Sequence, residues 1–166
     1  MKIIPNLITD GVLDLNAEFL TRRGIKLLLC DLDNTLAPYG GKPPSQALLD
    51  WKKSLNDADI EVFIISNTRK PRADLFAEQL GADYIKHARK PRPENVLRVI
   101  ASRGLERNQV MMVGDQLLTD VLGANLCGVT SVLVRPISLN NPLYRLRNLA
   151  ERGILRLFYR ENSRPA

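Results

Sequence analysis

Short apolar runs alternate with helix-length amphipathic stretches along most of this chain, and that alternation restricts it to an α/β fold with a parallel sheet. Five runs stand out, at 25–31, 60–66, 83–85, 110–114 and 130–134. Runs apolar on both sides of the pleat belong inside a sheet covered by helices above and below. Helical periodicity is clearest at 45–56, 71–80, 93–103 and 117–126, with Pro71 and Pro93 at two starts and Gly81 and Gly104 as stops. Right-handed crossovers then give a three-layer αβα, Rossmann-like arrangement of five parallel strands, with run 25–31 central. A short amphipathic helix over 14–23, closed by Gly24, is expected to pack on the sheet before that first strand.

At 166 residues the chain is long enough to bury one core without disulfides or a structural metal. One domain over 1–166 is therefore expected, with its core at about 25–135 and a basic helical tail at about 141–160. In that tail Leu143, Leu146, Leu149, Ile154, Leu157 and Phe158 would share an apolar stripe, with Gly153 a weak point. Cys30 and Cys127 sit among apolar neighbours without metal-type spacing and read as small buried hydrophobes. No apolar run approaches the roughly 18 residues needed to span a bilayer, so a cytoplasmic protein is expected.

The formal net charge is +6, and most of it lies at one end. From Arg135 onward there are seven arginines, at 135, 145, 147, 152, 156, 160 and 164, against Glu151 and Glu161. A basic patch of this kind is either a solvated face or a contact for an anionic surface such as lipid headgroups, nucleic acid or a partner protein.

Four of the expected strand ends carry polar residues of complementary kinds: Asp31 and Asp33, Ser66 and Asn67, Lys90, and Asp115 with Asp120. Ligands of parallel sheets bind at the carboxyl ends of strands, so these groups are candidates for one reaction centre. Taken alone, the first pair also suits an Asp-Asn turn. Phosphoryl transfer needs an in-line nucleophile, a proton donor for the leaving oxygen and positive charge around the phosphate. Asp31 and Asp115 would offer hard oxygens to Mg²⁺. Asp31 can attack phosphorus through its other oxygen while Asp33 hands a proton to the leaving group. Lys90 would offset negative charge, and Ser66 with adjacent backbone N–H groups would bind the phosphate. His87 and Trp51 read as incidental and packing residues, and Arg69 and Arg89 merely flank these loops.

These residues resemble the motifs of the haloacid dehalogenase (HAD) superfamily of Mg²⁺-dependent phosphatases. The DxDx[TV] motif matches Asp31-Leu-Asp-Asn-Thr35, the Ser or Thr of the second motif matches Ser66, the Lys of the third matches Lys90-Pro91, and GDxxxxD matches Gly114 to Asp120. The resemblance implies an aspartyl-phosphate on Asp31, and Asp33 acting first as acid and then as base. It also implies Mg²⁺ held by Asp31, the Asp33 backbone carbonyl and Asp115. Asp120 would touch the metal through water or fix Lys90, unless it is simply an acid in a first helical turn. Thr35, Ser66 and Asn67 are the candidate substrate-binding residues. Lys86 competes with Lys90, but Lys90 directly precedes proline as in the family pattern.

Neither inter-motif gap has room for the cap domain that many relatives carry, so the site is expected to be open to large or surface-bound phosphomonoesters. Arg23-Gly-Ile-Lys26, Pro38, Ser66-Asn67, Ala88-Arg-Lys-Pro91 and Gly114-Asp-Gln-Leu-Leu-Thr-Asp120 are similar to the YqeG-type, subclass IIIA phosphatases and to phosphatidylglycerophosphate phosphatases. That likeness implies a phospholipid headgroup as substrate and peripheral contact with an anionic membrane, which the basic tail would favour at about 1 kcal/mol per arginine. Nucleic acid is not the partner expected. The alternatives are a phosphatase for a soluble metabolite or macromolecular phosphoester, and a non-catalytic phosphate-binding module.

Overall fold

The computed structural model describes residues 3–40 and 42–138, together with 146, 149–151 and 153–154. Six strands form one parallel sheet: β1 (Leu7–Thr9), β2 (Leu27–Cys30), β3 (Glu61–Ile65), β4 (Asp83–Ile85), β5 (Val110–Gly114) and β6 (Thr130–Val134). Their order is β1-β6-β5-β2-β3-β4, so the strand expected to be central is central. Among the described residues these α-helices cover the sheet: α1 (Ala17–Arg22), α2 (Gln46–Asp57), α3 (Arg72–Leu80), α4 (Glu94–Ser102) and α5 (Leu122–Cys127).

The expectation of five strands is one short. The extra strand, β1, spans three residues at the sheet edge and pairs only with β6. It is anchored by Asn6, whose side chain accepts from both the backbone N–H and the hydroxyl of Ser131, at 2.8 and 2.9 Å. A three-residue segment beside Pro5 is too short to show an alternating pattern.

Alternation along the strands builds the two faces. Leu28 and Cys30 point into one core with Val62, Ile64, Met111 and Val113, covered by Leu20, Trp51, Leu55 and Phe76. Leu27 and Leu29 point into the other with Phe63, Ile65, Val110 and Met112, covered by Val96, Val99, Ile100 and Ala124. Trp51 is a packing residue, as expected, with its ring N–H donated to the Leu15 carbonyl at 2.9 Å. Both cysteines are buried and free.

The chain runs from β2 outward to β3 and β4, then crosses back to β5 on the other side of β2. The carboxyl ends of β2 and β5 therefore flank the switch point, where a crevice opens in a doubly wound sheet. Between Asp33 and Ser66 the described residues build only α2 and β3, and between Ser66 and Lys90 only α3 and β4, so no cap covers that crevice among the described residues. Of the expected tail, residues 146, 149–151 and 153–154 are helical. Ile154 packs on Leu117, Val121 and Leu133, whereas Leu146 and Leu149 are exposed. Leu143, Leu157, Phe158 and the arginines at 145, 147, 152, 156, 160 and 164 lie outside the described residues. No helix among the described residues is long and apolar enough to cross a membrane.

Candidate active site

Backbone bonds carry the sheet ladder into the loops and bring the polar residues together. The Asp31 N–H donates to the Val113 carbonyl at 2.9 Å, which sets Asp31 beside the end of β5. The chain then closes tightly: Asn34 takes a left-handed conformation (φ 65°) and donates its N–H to the Ala37 carbonyl at 2.7 Å. Asparagine tolerates that region better than most residues, so the motif's fourth position suits its turn. On the other side, the Ser66 N–H donates to Ile85 and the Ala88 N–H to Ser66, both at 2.9 Å. These bonds hold the loops after β3 and β4 in register.

At the centre lies Lys90, buried, with its ammonium 2.6 Å from Asp31 Oδ1 and 2.7 Å from Asp120 Oδ1. Burial alone disfavours the ammonium, but the two carboxylates outweigh it and raise its pKa above the ordinary value. Burial pushes the Asp120 carboxyl up to about 6, with Lys90 pulling it down and Asp31 pushing it further up. Asp120 reaches this position because Leu117–Val121 forms a wide π-helical turn instead of the regular helix expected from residue 117. Its Oδ2 accepts from the Gln116 N–H at 3.1 Å. Gly114 makes room for it: a Cβ there would lie 2.2 Å from Asp120 Cγ.

Asp31, Asp115 and Asp120 each offer one oxygen, and these oxygens lie within 4.8 Å of one another. Asp31 Oδ2 is buried with no hydrogen-bond partner among the described residues. With Asp115 beside Asp31 and Asp120, three buried carboxylates gather where a divalent cation would sit. Hard carboxylate oxygens in this number suit such an ion. The residues present therefore fit a divalent metal.

Asp33 stands apart from that trio. Its carboxylate is in an ion pair with Arg72, the first residue of α3. No spacing rule in the sequence points to Arg72. Ser66 is buried, and its hydroxyl accepts from the Thr68 N–H at 3.2 Å. Thr35 is also buried, and its hydroxyl has no hydrogen-bond partner among the described residues. The Asn67 side chain is engaged with the backbone of Lys90. Lys86 is turned away from the centre and pairs with Asp74 at 2.9 Å. His87 and Arg89 are exposed, both in left-handed conformations.

The doubly wound α/β sheet thus carries buried carboxylates and a lysine at its switch point, the arrangement expected from the sequence for an enzyme of phosphoryl transfer. Comparison with known proteins agrees. The family model described as "HAD-hyrolase-like" matches residues 87–136. The chain is 33% identical over 153 residues to the probable phosphatase YqeG of Bacillus subtilis, covering 92% of this chain and 89% of that protein. It is 26% identical over 174 residues to phosphatidylglycerophosphate phosphatase 1, chloroplastic/mitochondrial, of Arabidopsis thaliana, covering 98% of this chain and half of that protein's length. Among solved structures, the cobalt-bound deoxy-D-mannose-octulosonate 8-phosphate phosphatase of Haemophilus influenzae superposes with a TM-score of 0.56 at 21% identity, over 69% of this chain and 80% of that one, and shares the fold. The chain belongs to the HAD superfamily, in the family of the YqeG phosphatase, and is a phosphoric monoester hydrolase.

Proposed function

We propose that the enzyme hydrolyses phosphomonoesters through an aspartyl-phosphate on Asp31, and that its substrate is phosphatidylglycerophosphate, converted to phosphatidylglycerol at a membrane surface. The observation that carries the catalytic reading is the division of labour within one carboxylate. Asp31 Oδ1 is held by Lys90, while Oδ2 is buried without a partner among the described residues. A fixed, desolvated carboxylate oxygen at the switch point of the sheet is a competent nucleophile for phosphorus.

Asp33, two residues further along the loop, would protonate the leaving oxygen and later take a proton from water. Lys90 balances the charge on Asp31 and the transferring phosphoryl oxygens. Ser66 and Thr35, two buried hydroxyls on neighbouring loops, supply hydrogen bonds to the phosphate. Asp31, Asp115, Asp120 and the Asp33 backbone carbonyl would hold Mg²⁺, which when bound shields the phosphoryl charge as a Lewis acid. The lipid reading is supported by the likeness to the Arabidopsis phosphatidylglycerophosphate phosphatase, by the absence of a cap among the described residues and by exposed apolar Leu146 and Leu149, flanked in sequence by Arg145, Arg147 and Arg152. Apolar side chains interleaved with basic ones favour an anionic bilayer surface.

The test is phosphate release with Mg²⁺ from phosphatidylglycerophosphate in vesicles, sugar phosphates and phosphopeptides, with Asp31→Asn as control. Release from the lipid at the highest kcat/KM, abolished by Asp31→Asn without loss of fold, is the expected result. Preference for a soluble ester would overturn the lipid assignment, and undiminished turnover by Asp31→Asn would remove the nucleophile.

A further inference from the structure

At the mouth of the crevice, outside the buried centre, Tyr39, Lys70 and Arg72 form a cationic cluster that the catalytic roles above leave unused. Tyr39 comes from the loop after β2, and the two basic residues come from the loop after β3 and the start of α3. The Lys70 ammonium lies 4.9 Å from the Tyr39 ring centre and 3.3 Å from its hydroxyl oxygen. The Arg72 guanidinium lies 5.6 Å from the same ring centre. Two cations gathered on one aromatic ring repel each other, so the arrangement favours an anion between or beside them.

Part of that demand is met by Asp33, whose carboxylate pairs with Arg72 through Nη2. The guanidinium is not fully used: Arg72 Nε, buried, has no hydrogen-bond partner among the described residues. A buried donor left without an acceptor costs about 1–3 kcal/mol, more when charged, so its persistence points to a ligand. A guanidinium binds a planar or tetrahedral oxyanion through two parallel N–H groups, which one carboxylate oxygen on Nη2 does not supply.

We propose that Arg72 and Lys70, backed by the Tyr39 ring, form a second anion site that takes a negatively charged group of the substrate other than the phosphate being removed. The inference rests on the phosphatase reading and narrows its substrate class to phosphomonoesters carrying another phosphate or phosphodiester a few atoms away. Arg72 pairs with Asp33, which follows Asp31 by two residues, so the site borders the loop that carries the nucleophile. An oxyanion entering the fork competes with Asp33 for Arg72 and releases the Asp33 carboxyl toward the leaving oxygen. A substrate lacking the second anion would leave that contact in place.

The test uses full-length Asp31→Asn protein with Mg²⁺ and measures binding of glycerol 1,3-bisphosphate and of glycerol 3-phosphate by calorimetry. The bisphosphate should bind about tenfold or more tightly, the scale of a charge-assisted hydrogen bond. Adding Lys70→Gln or Arg72→Gln should shrink that preference, the pair together should erase it, and Arg72→Lys should restore only part of it. Lys70 is exposed, so its replacement does not threaten the fold. Equal affinity for the two probes in the Asp31→Asn protein, or a preference that survives the double replacement, would overturn the proposal. Failure of the phosphatase reading would be seen separately, as no phosphate release from either ester by the unsubstituted protein, and leaves the binding contrast readable.

Discussion

The side chain of Asn67 clamps the backbone of Lys90 from both sides: its Oδ1 accepts from the Lys90 N–H at 2.8 Å, and its Nδ2 donates to the Lys90 carbonyl at 3.0 Å. The loop after β3 thus fixes the residue that the loop after β4 sends into the buried centre. Asn67→Ala removes two hydrogen bonds worth about 0.5–1.5 kcal/mol each. Thermal or urea unfolding should show a loss of about 1–3 kcal/mol, and hydrolysis of a generic phosphomonoester should fall by about ten- to a hundredfold as Lys90 loses its position. Asn67→Asp keeps the acceptor alone and should fall between. Unchanged stability and rate in Asn67→Ala would show that the clamp is incidental.

Lys90 is bonded to two buried carboxylates, so Lys90→Met leaves Asp31 and Asp120 as uncompensated buried charge. Breaking a buried pair in this way costs about 3–5 kcal/mol. The pH dependence has a definite sign. A lysine whose folded pKa is raised above the ordinary 10.5 stabilises the fold fully below that value and loses the contribution as the pH climbs beyond it. The gap in unfolding free energy between unsubstituted protein and Lys90→Met should therefore stay level from pH 8 to about 10 and narrow above 10.5. A gap that widens at alkaline pH would contradict this account.

Gly114→Ala tests the room made for Asp120. The backbone there is ordinary, so the effect is purely steric: the new Cβ would meet Asp120 Cγ and Oδ2 at 2.2 Å. Asp120 has to move, and with it go its bonds to Lys90 and the Gln116 N–H. Overpacking of this kind costs about 1–3 kcal/mol. Metal affinity should also drop, because one of the three neighbouring carboxylates is displaced. Calorimetric Mg²⁺ titration of the two proteins measures it, and equal affinity would mean that Asp120 takes no part in holding the ion.

Much of this molecule can be read from its residues in order. Strands β2, β3 and β5 are runs apolar on both pleat faces, and helices α3 and α4 end at Gly81 and Gly104, both in the left-handed conformation that glycine permits. Asp31 and Asp120 can be grouped from their places after such runs, and Lys90 from its place after the short edge strand β4, since a parallel sheet gathers strand ends at one edge. What escapes is set by contacts rather than by pattern. Strand β1 depends on Asn6 meeting Ser131 from across the chain. The π-helical turn at Leu117–Val121 shares its apolar spacing with an ordinary helix start, yet its wider winding is what returns Asp120 to Gln116. The contacts of Asn67 with Lys90 and of Arg72 with Asp33 join residues 23 and 39 positions apart with no periodic signature.

Cys30 and Cys127 provide a probe of the intact core that does not touch catalysis. Burial, reinforced by the neighbouring Asp31 charge, pushes the Cys30 thiol far above its ordinary value. Burial also pushes Cys127 up to about 11, with Arg107 pulling it back. The thiolate is the reactive form, so neither residue offers much of it at pH 8, and neither is open to solvent. Native protein should therefore resist a maleimide for many minutes at that pH, while denatured protein should take up two equivalents at once. Mass spectrometry counts the adducts. Labelling of Cys127 alone in the native state would mean that α5, which carries it, opens independently of the sheet. In that case the π-helical turn leading into α5, and the Asp120 it positions, would share that opening.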